Sequence, residues 1–292
     1  MITGKYYSEL TSIGCHTALW DFGKQDYHTW VMEEKLNGFL APIGNGKKTF
    51  PSAIAHYPCK VGTGLHDSSA ALIPYLVNFS KSFVLISTGT WSISMNPFNK
   101  TPLNAGELAN DCLCYLQYSG EPVKASRLHA GFEHELQVKR IAEHFNQDIL
   151  RYRDMPFDPE IASTLYANSP ATLSLSEGLI FRKRNLADFK TDTEAYHQLI
   201  ADLISLQILS TRLVIKDSVV KRIFVDGGFS HNDVFMHLLA NGFREMEVYA
   251  ASMAQATALG AALSMHPEWN SKPIPTDLIE LRYYSSGQTD QK

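Results

Sequence analysis

The sequence is short of cysteine, of long apolar runs and of any excess of one charge, and each shortage removes a class of protein. Four cysteines in 292 residues, Cys15, Cys59, Cys112 and Cys114, contain no CxxC pair, which argues against a disulfide scaffold and a structural zinc site. Cys112 and Cys114 stand two apart in DCLCYLQY and read as reduced, half-buried strand residues. No apolar run approaches the roughly eighteen residues of a membrane span, and the opening MITGKYYSELTSIGCHTALWDF lacks the charged-then-apolar order of a signal peptide. A cytoplasmic protein without a membrane partner is expected. With 26 Lys+Arg against 30 Asp+Glu the net charge is −4, so there is no general basic field for nucleic acid. The P-loop pattern GxxxxGK[ST], the GxSxG elbow of serine hydrolases and the HExxH of zinc proteases are also missing. The segment His129-Ala-Gly-Phe-Glu-His134 does not place two ligands and a glutamate in the zinc order, and no metal ligand is assigned.

What is present is an ordinary globular composition, 45% hydrophobic and 19% charged, long enough for two domains. Residues 1–75 mix an aromatic-rich opening with a Pro/Gly/Lys stretch and look like part of a larger unit. From residue 83 the pattern is orderly. FVLIST and WSISMN are β-rich runs separated by Gly89-Thr90, a hairpin signal, and CLCYLQYS supplies a third run. Leu128, Phe132, Leu136, Ile141 and Phe145 fall mostly at helical spacing, predicting an amphipathic helix over 124–145. Residues 147–178, with Pro156, Pro159 and Pro170, read as loop with short elements. A second, buried helix is predicted from about Thr193 to Asp217. After it come strand KRIFVDGG, helix HNDVFMHLLANGF, strand EVYA and helix SMAQATALGAALSMH, so the predicted order is βββαβαβα in an α/β architecture.

Three short segments could carry chemistry, and each has a plain structural alternative. In IFVDGGFSHND a Gly-Gly turn joins a strand to a helix whose free N–H groups suit a phosphate; taken alone, a turn capped by Asn232 or Ser230 is a sufficient explanation. Ser87-Thr88-Gly89-Thr90 at the hairpin tip could cradle an anion, or be an ordinary capped turn. His66-Asp67-Ser68-Ser69 precedes an apolar run, so Asp67 is either a helix N-cap or a general base able to take a proton from a sugar hydroxyl.

Taken together and in this order, Asp67 in GLHDSSAAL, the Thr90 hairpin, VDGGFSHN and ATALGAAL resemble the FGGY family of carbohydrate kinases. The resemblance implies a ribonuclease-H-like (actin-like ATPase) domain over 79–292 that binds nucleotide. Before it, residues 1–78 would be the remainder of a first, sugar-side domain. It further implies Asp67 as catalytic base, His66 as a sugar contact, and Gly89, Thr90, Gly227, Gly228 and Asn232 as nucleotide and phosphate contacts. ATP and Mg²⁺ would be the cofactors, with a small sugar as the other partner. ISTGTWSIS after LHDSSA looks most like the rhamnulokinase and fuculokinase branch, hence a deoxyketohexose such as L-rhamnulose or L-fuculose. A pentulose kinase of the xylulokinase or ribulokinase type and a non-catalytic binding fragment are the alternatives. No segment matches the family's opening DxGTT-like phosphate loop, so well over a hundred upstream residues are expected to be missing. A weak or inactive isolated chain is expected, with an apolar face on 1–75 that would favour a homodimer.

Overall fold

The computed structural model describes residues 2–15, 17–44, 46–167, 174–253 and 255–285. Pro170, read above as part of a loop, lies outside them. The chain forms two compact units, Met1–Lys81 with Cys114–Lys124 and Met253–Ile279, and Ser82–Leu113 with Ala125–Ser252 and Glu280–Lys292.

The first unit contains three two-stranded pairings of very short segments, for example Ser8–Glu9 parallel to Ile43–Gly44 and Thr49–Pro51 antiparallel to Lys60–Gly62. Its main helices are α1, Asp67–Asn78, and, late in the chain, Ala256–Ser264. These two helices meet at small residues. A Cβ added at Gly260 would run into the Ala70 carbonyl oxygen. The small-residue run ATALGAAL therefore serves packing.

The main sheet has seven strands: β1 Val84–Thr88, β2 Ser92–Asn96, β3 Cys112–Leu116, β4 Pro122–Leu128, β5 Arg222–Gly227, β6 Glu247–Ser252 and β7 Glu280–Tyr284, in the order β7-β6-β5-β1-β2-β4-β3. β1 and β2 form the expected antiparallel hairpin, in register from Leu85↔Met95 to Thr88↔Ser92. β5 lies parallel to both β1 and β6. Alternation sorts the two faces. Val84, Ile86, Ile223 and Val225 enter the apolar core, while Phe83 and Phe224, on the other face, sit 5.4 Å apart.

The helices of the second unit include α2 Ala130–Phe145, α3 Asp192–Ile215 and α4 Asp233–Gly242. α3 is long and apolar enough to cross a membrane, contrary to the reading of the sequence, yet most of it is buried inside the protein. Buried hydroxyls and amides fix it to the sheet: Gln207 Nε2 donates to Ser94 Oγ at 3.0 Å, and Ser126 Oγ donates to the Ser210 carbonyl at 2.8 Å. Arg184 clamps Asp202 through two bonds of 2.7 and 2.9 Å, so the carboxylate is paired where the helix is buried.

The α/β expectation holds, but the predicted strand order needs two corrections. PVKASRL is strand β4 rather than the start of a helix, so four strands precede α2, and β7 adds a strand at the end. Val123, Lys124, Ala125 and Ser126 are buried in succession, which erases the alternation that marks a half-exposed strand. The face of α2 was also misplaced: Phe132 and Leu136 are exposed, whereas Glu133, Gln137, Val138 and Ile141 are buried. Glu133 can be buried because Arg182 pairs with it.

Gly260→Ala should destabilise the chain by roughly 1–3 kcal/mol, because the new methyl meets backbone that cannot turn aside. Gly38→Ala, where an added Cβ meets nothing within 4 Å, should be near neutral. Thermal melting of both variants checks the contrast, and equal shifts would contradict the packing argument.

Candidate functional site

The parallel register of β5 and β1 pairs Gly227 with Thr88, so both strands reach their turns at one end of the sheet. Thr88 Oγ1 joins these turns, donating to the Asp226 carbonyl at 2.6 Å and accepting from the Phe229 N–H at 3.0 Å. Gly227 has φ +90° and lies so close to Thr88 that a Cβ would overlap the Thr88 carbonyl. Only glycine fits there. Gly131, at the start of α2, is similarly pressed against the carbonyl oxygen of Gly89, and the Phe132 N–H donates to the Thr90 carbonyl at 3.2 Å.

Between these turns opens a cavity of about 650 Å³ whose wall includes Thr88, Gly89, Gly131, His134, Gly228 and Asn232. Arg153 and Asp154 add one charge of each sign. Unlike Gly227, Gly89 and Gly228 have nothing within 4 Å of an added Cβ, so their missing side chains leave open space in the cavity wall. The two glycines of VDGG thus separate into a packing residue, Gly227, and a residue that leaves backbone open to a ligand, Gly228. The helix following them, α4, is capped by Asn232, whose Oδ1 accepts from the Phe235 N–H at 2.9 Å. Ser230 is not the cap; its hydroxyl donates to the Gly227 carbonyl at 2.7 Å.

The fold therefore brings Gly89, Gly228 and Asn232 to one cavity, with Thr90 and Gly227 in the adjoining turns. Sequence reasoning missed His134, Gly131 and the bridging role of Thr88. A glycine opening a helix, where it costs stability, is a usable sign of close backbone approach at Gly131. Nothing local marks His134, which meets its partner Tyr196 only through the fold.

His66 and Asp67 lie in the first unit. Asp67 is the first residue of α1 and not its cap, a position held by the backbone of His66. Its Oδ1 accepts from the Ser68 N–H at 2.7 Å. Its side chain remains 78% exposed. His66 Nε2 is 3.3 Å from Cys15 Sγ, its Nδ1 is 3.2 Å from Asp67 Oδ1, and its backbone N–H donates to Thr11 Oγ1 at 2.8 Å.

Residues 80–273 match the C-terminal domain of carbohydrate kinase FGGY. The chain belongs to the FGGY family of carbohydrate kinases. No curated protein matches it in sequence. Among solved structures, a carbohydrate kinase from Novosphingobium aromaticivorans is similar over 98% of this chain and 61% of its own, at 24% identity and a TM-score of 0.73. A ligand-bound xylulose kinase from Lactobacillus acidophilus covers the same shares at 13% identity and TM-score 0.73. Plasmodium falciparum glycerol kinase with ADP is similar over 92% of this chain and 56% of its own, at 15% identity and TM-score 0.61. The chain thus spans about three fifths of these structures, and the likeness is one of fold.

Burial holds the His134 imidazole well below its ordinary 6.5, at about 4, although the neighbouring Glu135 opposes the shift. The unfolded chain takes up this proton first on acidification. The stability linked to the neutral ring is therefore complete above pH 6.5 and is lost as pH falls towards 4, up to roughly 3 kcal/mol. Denaturation of wild type and His134→Gln across pH 4–7 should give a shallower acid loss in the variant. Parallel curves would show that His134 titrates normally.

Proposed function

We propose that the protein transfers the γ-phosphoryl group of ATP to a hydroxyl of a ketose sugar, with nucleotide in the cavity of the second unit and Asp67 as the base. The observation that carries this reading is the meeting of two glycine turns and a helix N-terminus around one cavity. Open backbone at Gly89 and Gly228 admits phosphates, and the start of α4 presents a positive dipole end. Thr90 and Gly227 belong to the turns that hold this cradle, and residues 1–78 are assigned to the sugar-side domain.

In the reaction, the sugar oxygen bonds to the γ-phosphorus as the bond to the bridging oxygen of ADP breaks, and the hydroxyl proton passes to the exposed Asp67 carboxylate. Mg²⁺ would arrive with the nucleotide, held by its phosphates and by water. Among the described residues no group of three or more His, Cys, Asp or Glu side chains could hold a metal ion. His66 would sit beside the base, within reach of a neighbouring sugar hydroxyl.

A pentulose is favoured as acceptor, supported by the xylulose kinase among the structures of similar fold. The second reading, a deoxyketohexose such as L-rhamnulose or L-fuculose, rests on the His66-Asp67 pair followed by ISTGTWS.

ADP release should be measured with D-xylulose, D-ribulose, L-rhamnulose and L-fuculose, for the wild-type protein and Asp67→Asn. The variant should lose about 10²–10⁴-fold in kcat while its affinity for Mg·ADP stays unchanged. The preferred sugar then decides between the two readings. Nucleotide binding without turnover on any sugar, by this chain and by the same chain within a protein of the length of the similar structures, would make it a binding module instead.

A further inference from the structure

We infer that His134 is a nucleotide-contacting residue, its ring held by Asn232 and Tyr196 in the form that points an N–H donor, at Nδ1, towards a nucleotide acceptor atom. The inference rests on the reading of the cavity as the nucleotide site and adds a contact that the glycine motifs do not supply. It follows from a chain of hydrogen bonds whose directions leave no freedom.

The first link is the helix cap. The Phe235 N–H can only donate, so the atom of Asn232 facing it at 2.9 Å is the carbonyl oxygen. The amide nitrogen of Asn232 must then face Tyr196, donating to its hydroxyl oxygen at 2.6 Å. The remaining partner of that hydroxyl is His134 Nε2, at 3.1 Å. Tyr196 is fully buried, so a hydroxyl accepting from both neighbours would strand its own hydrogen away from water. The phenol therefore donates to His134, and Nε2 is the acceptor.

A neutral imidazole that accepts at Nε2 carries its proton on Nδ1. Protonating the ring would set an N–H against the phenol's donor, in keeping with the depressed basicity of this side chain. His134 lines the cavity together with Gly228 and Asn232, and its Nδ1 makes no hydrogen bond among the described residues. The ring is also fixed edge-to-face, 5.2 Å from Phe229 and 5.8 Å from Tyr196, so the donor has a constant direction. Ring, phenol and cap thus connect the base of α4 to the wall of α2, and a ligand oxygen or ring nitrogen meets a donor already oriented.

The test has two independent readouts on the full chain. ¹⁵N spectra of the histidine side chains should show His134 protonated at Nδ1 in wild type and a mixture of tautomers in Tyr196→Phe. Calorimetric titration with Mg·ADP should show roughly tenfold weaker binding for His134→Phe. His134→Asn, whose amide nitrogen replaces Nδ1, should recover most of that loss. An Nε2-protonated ring in wild type overturns the hydrogen-bond chain. Wild-type affinity retained in His134→Phe overturns the contact. Absence of Mg·ADP binding by wild type instead overturns the nucleotide reading and the contact with it, while the tautomer still reports on the chain of bonds.

Discussion

The hydroxyl of Thr88 is the interaction on which the candidate site depends. It lies at the end of a central strand, beside its parallel neighbour, and binds that neighbour's Asp226 carbonyl and the N–H just beyond the glycine pair. This one side chain makes two turns from distant parts of the sequence a single rigid rim. Loss of Thr88 would leave the Phe229 N–H and the Asp226 carbonyl to find other partners at the edge of the cavity. Gly227 is held against the Thr88 carbonyl and Gly131 against that of Gly89, with no room for a Cβ at either position.

Behind the rim, Asn232, Tyr196 and His134 form one hydrogen-bonded chain. Asn232 serves as helix cap and as donor to Tyr196, and Tyr196 passes the bond on to His134. On α3, Asp202 is clamped by Arg184 and reached by Gln198 at 2.7 Å. A half-satisfied member in either place would cost more than an apolar substitute, so these networks fix the geometry around the cavity.

Much of this was legible in the sequence because it is local. The hairpin at Gly89-Thr90, the strand-turn-helix at VDGG and the long apolar helix all announce themselves through turn residues and periodicity. β4 escaped because both its faces are covered and its buried residues include Lys124 and Ser126, which carry no apolar signal. The inner face of α2 escaped for a related reason: its buried Glu133 is tolerable only beside Arg182, forty-nine positions later in the chain. At the site, the glycines were visible but the packing role of Gly227 was not, since its φ of +90° and the Thr88 carbonyl opposite it are set by the fold. Thr88, His134 and Tyr196 likewise acquire their roles from partners far away in sequence.

The central claim is that the open backbone at Gly228 is a nucleotide site and not merely a turn. The most direct measurement is Mg·ADP affinity and melting temperature for wild type and Gly228→Ala. A methyl there meets no protein atom within 4 Å, so the melting temperature should be unchanged while affinity falls at least tenfold. Wild-type affinity in a variant of wild-type stability would contradict the account.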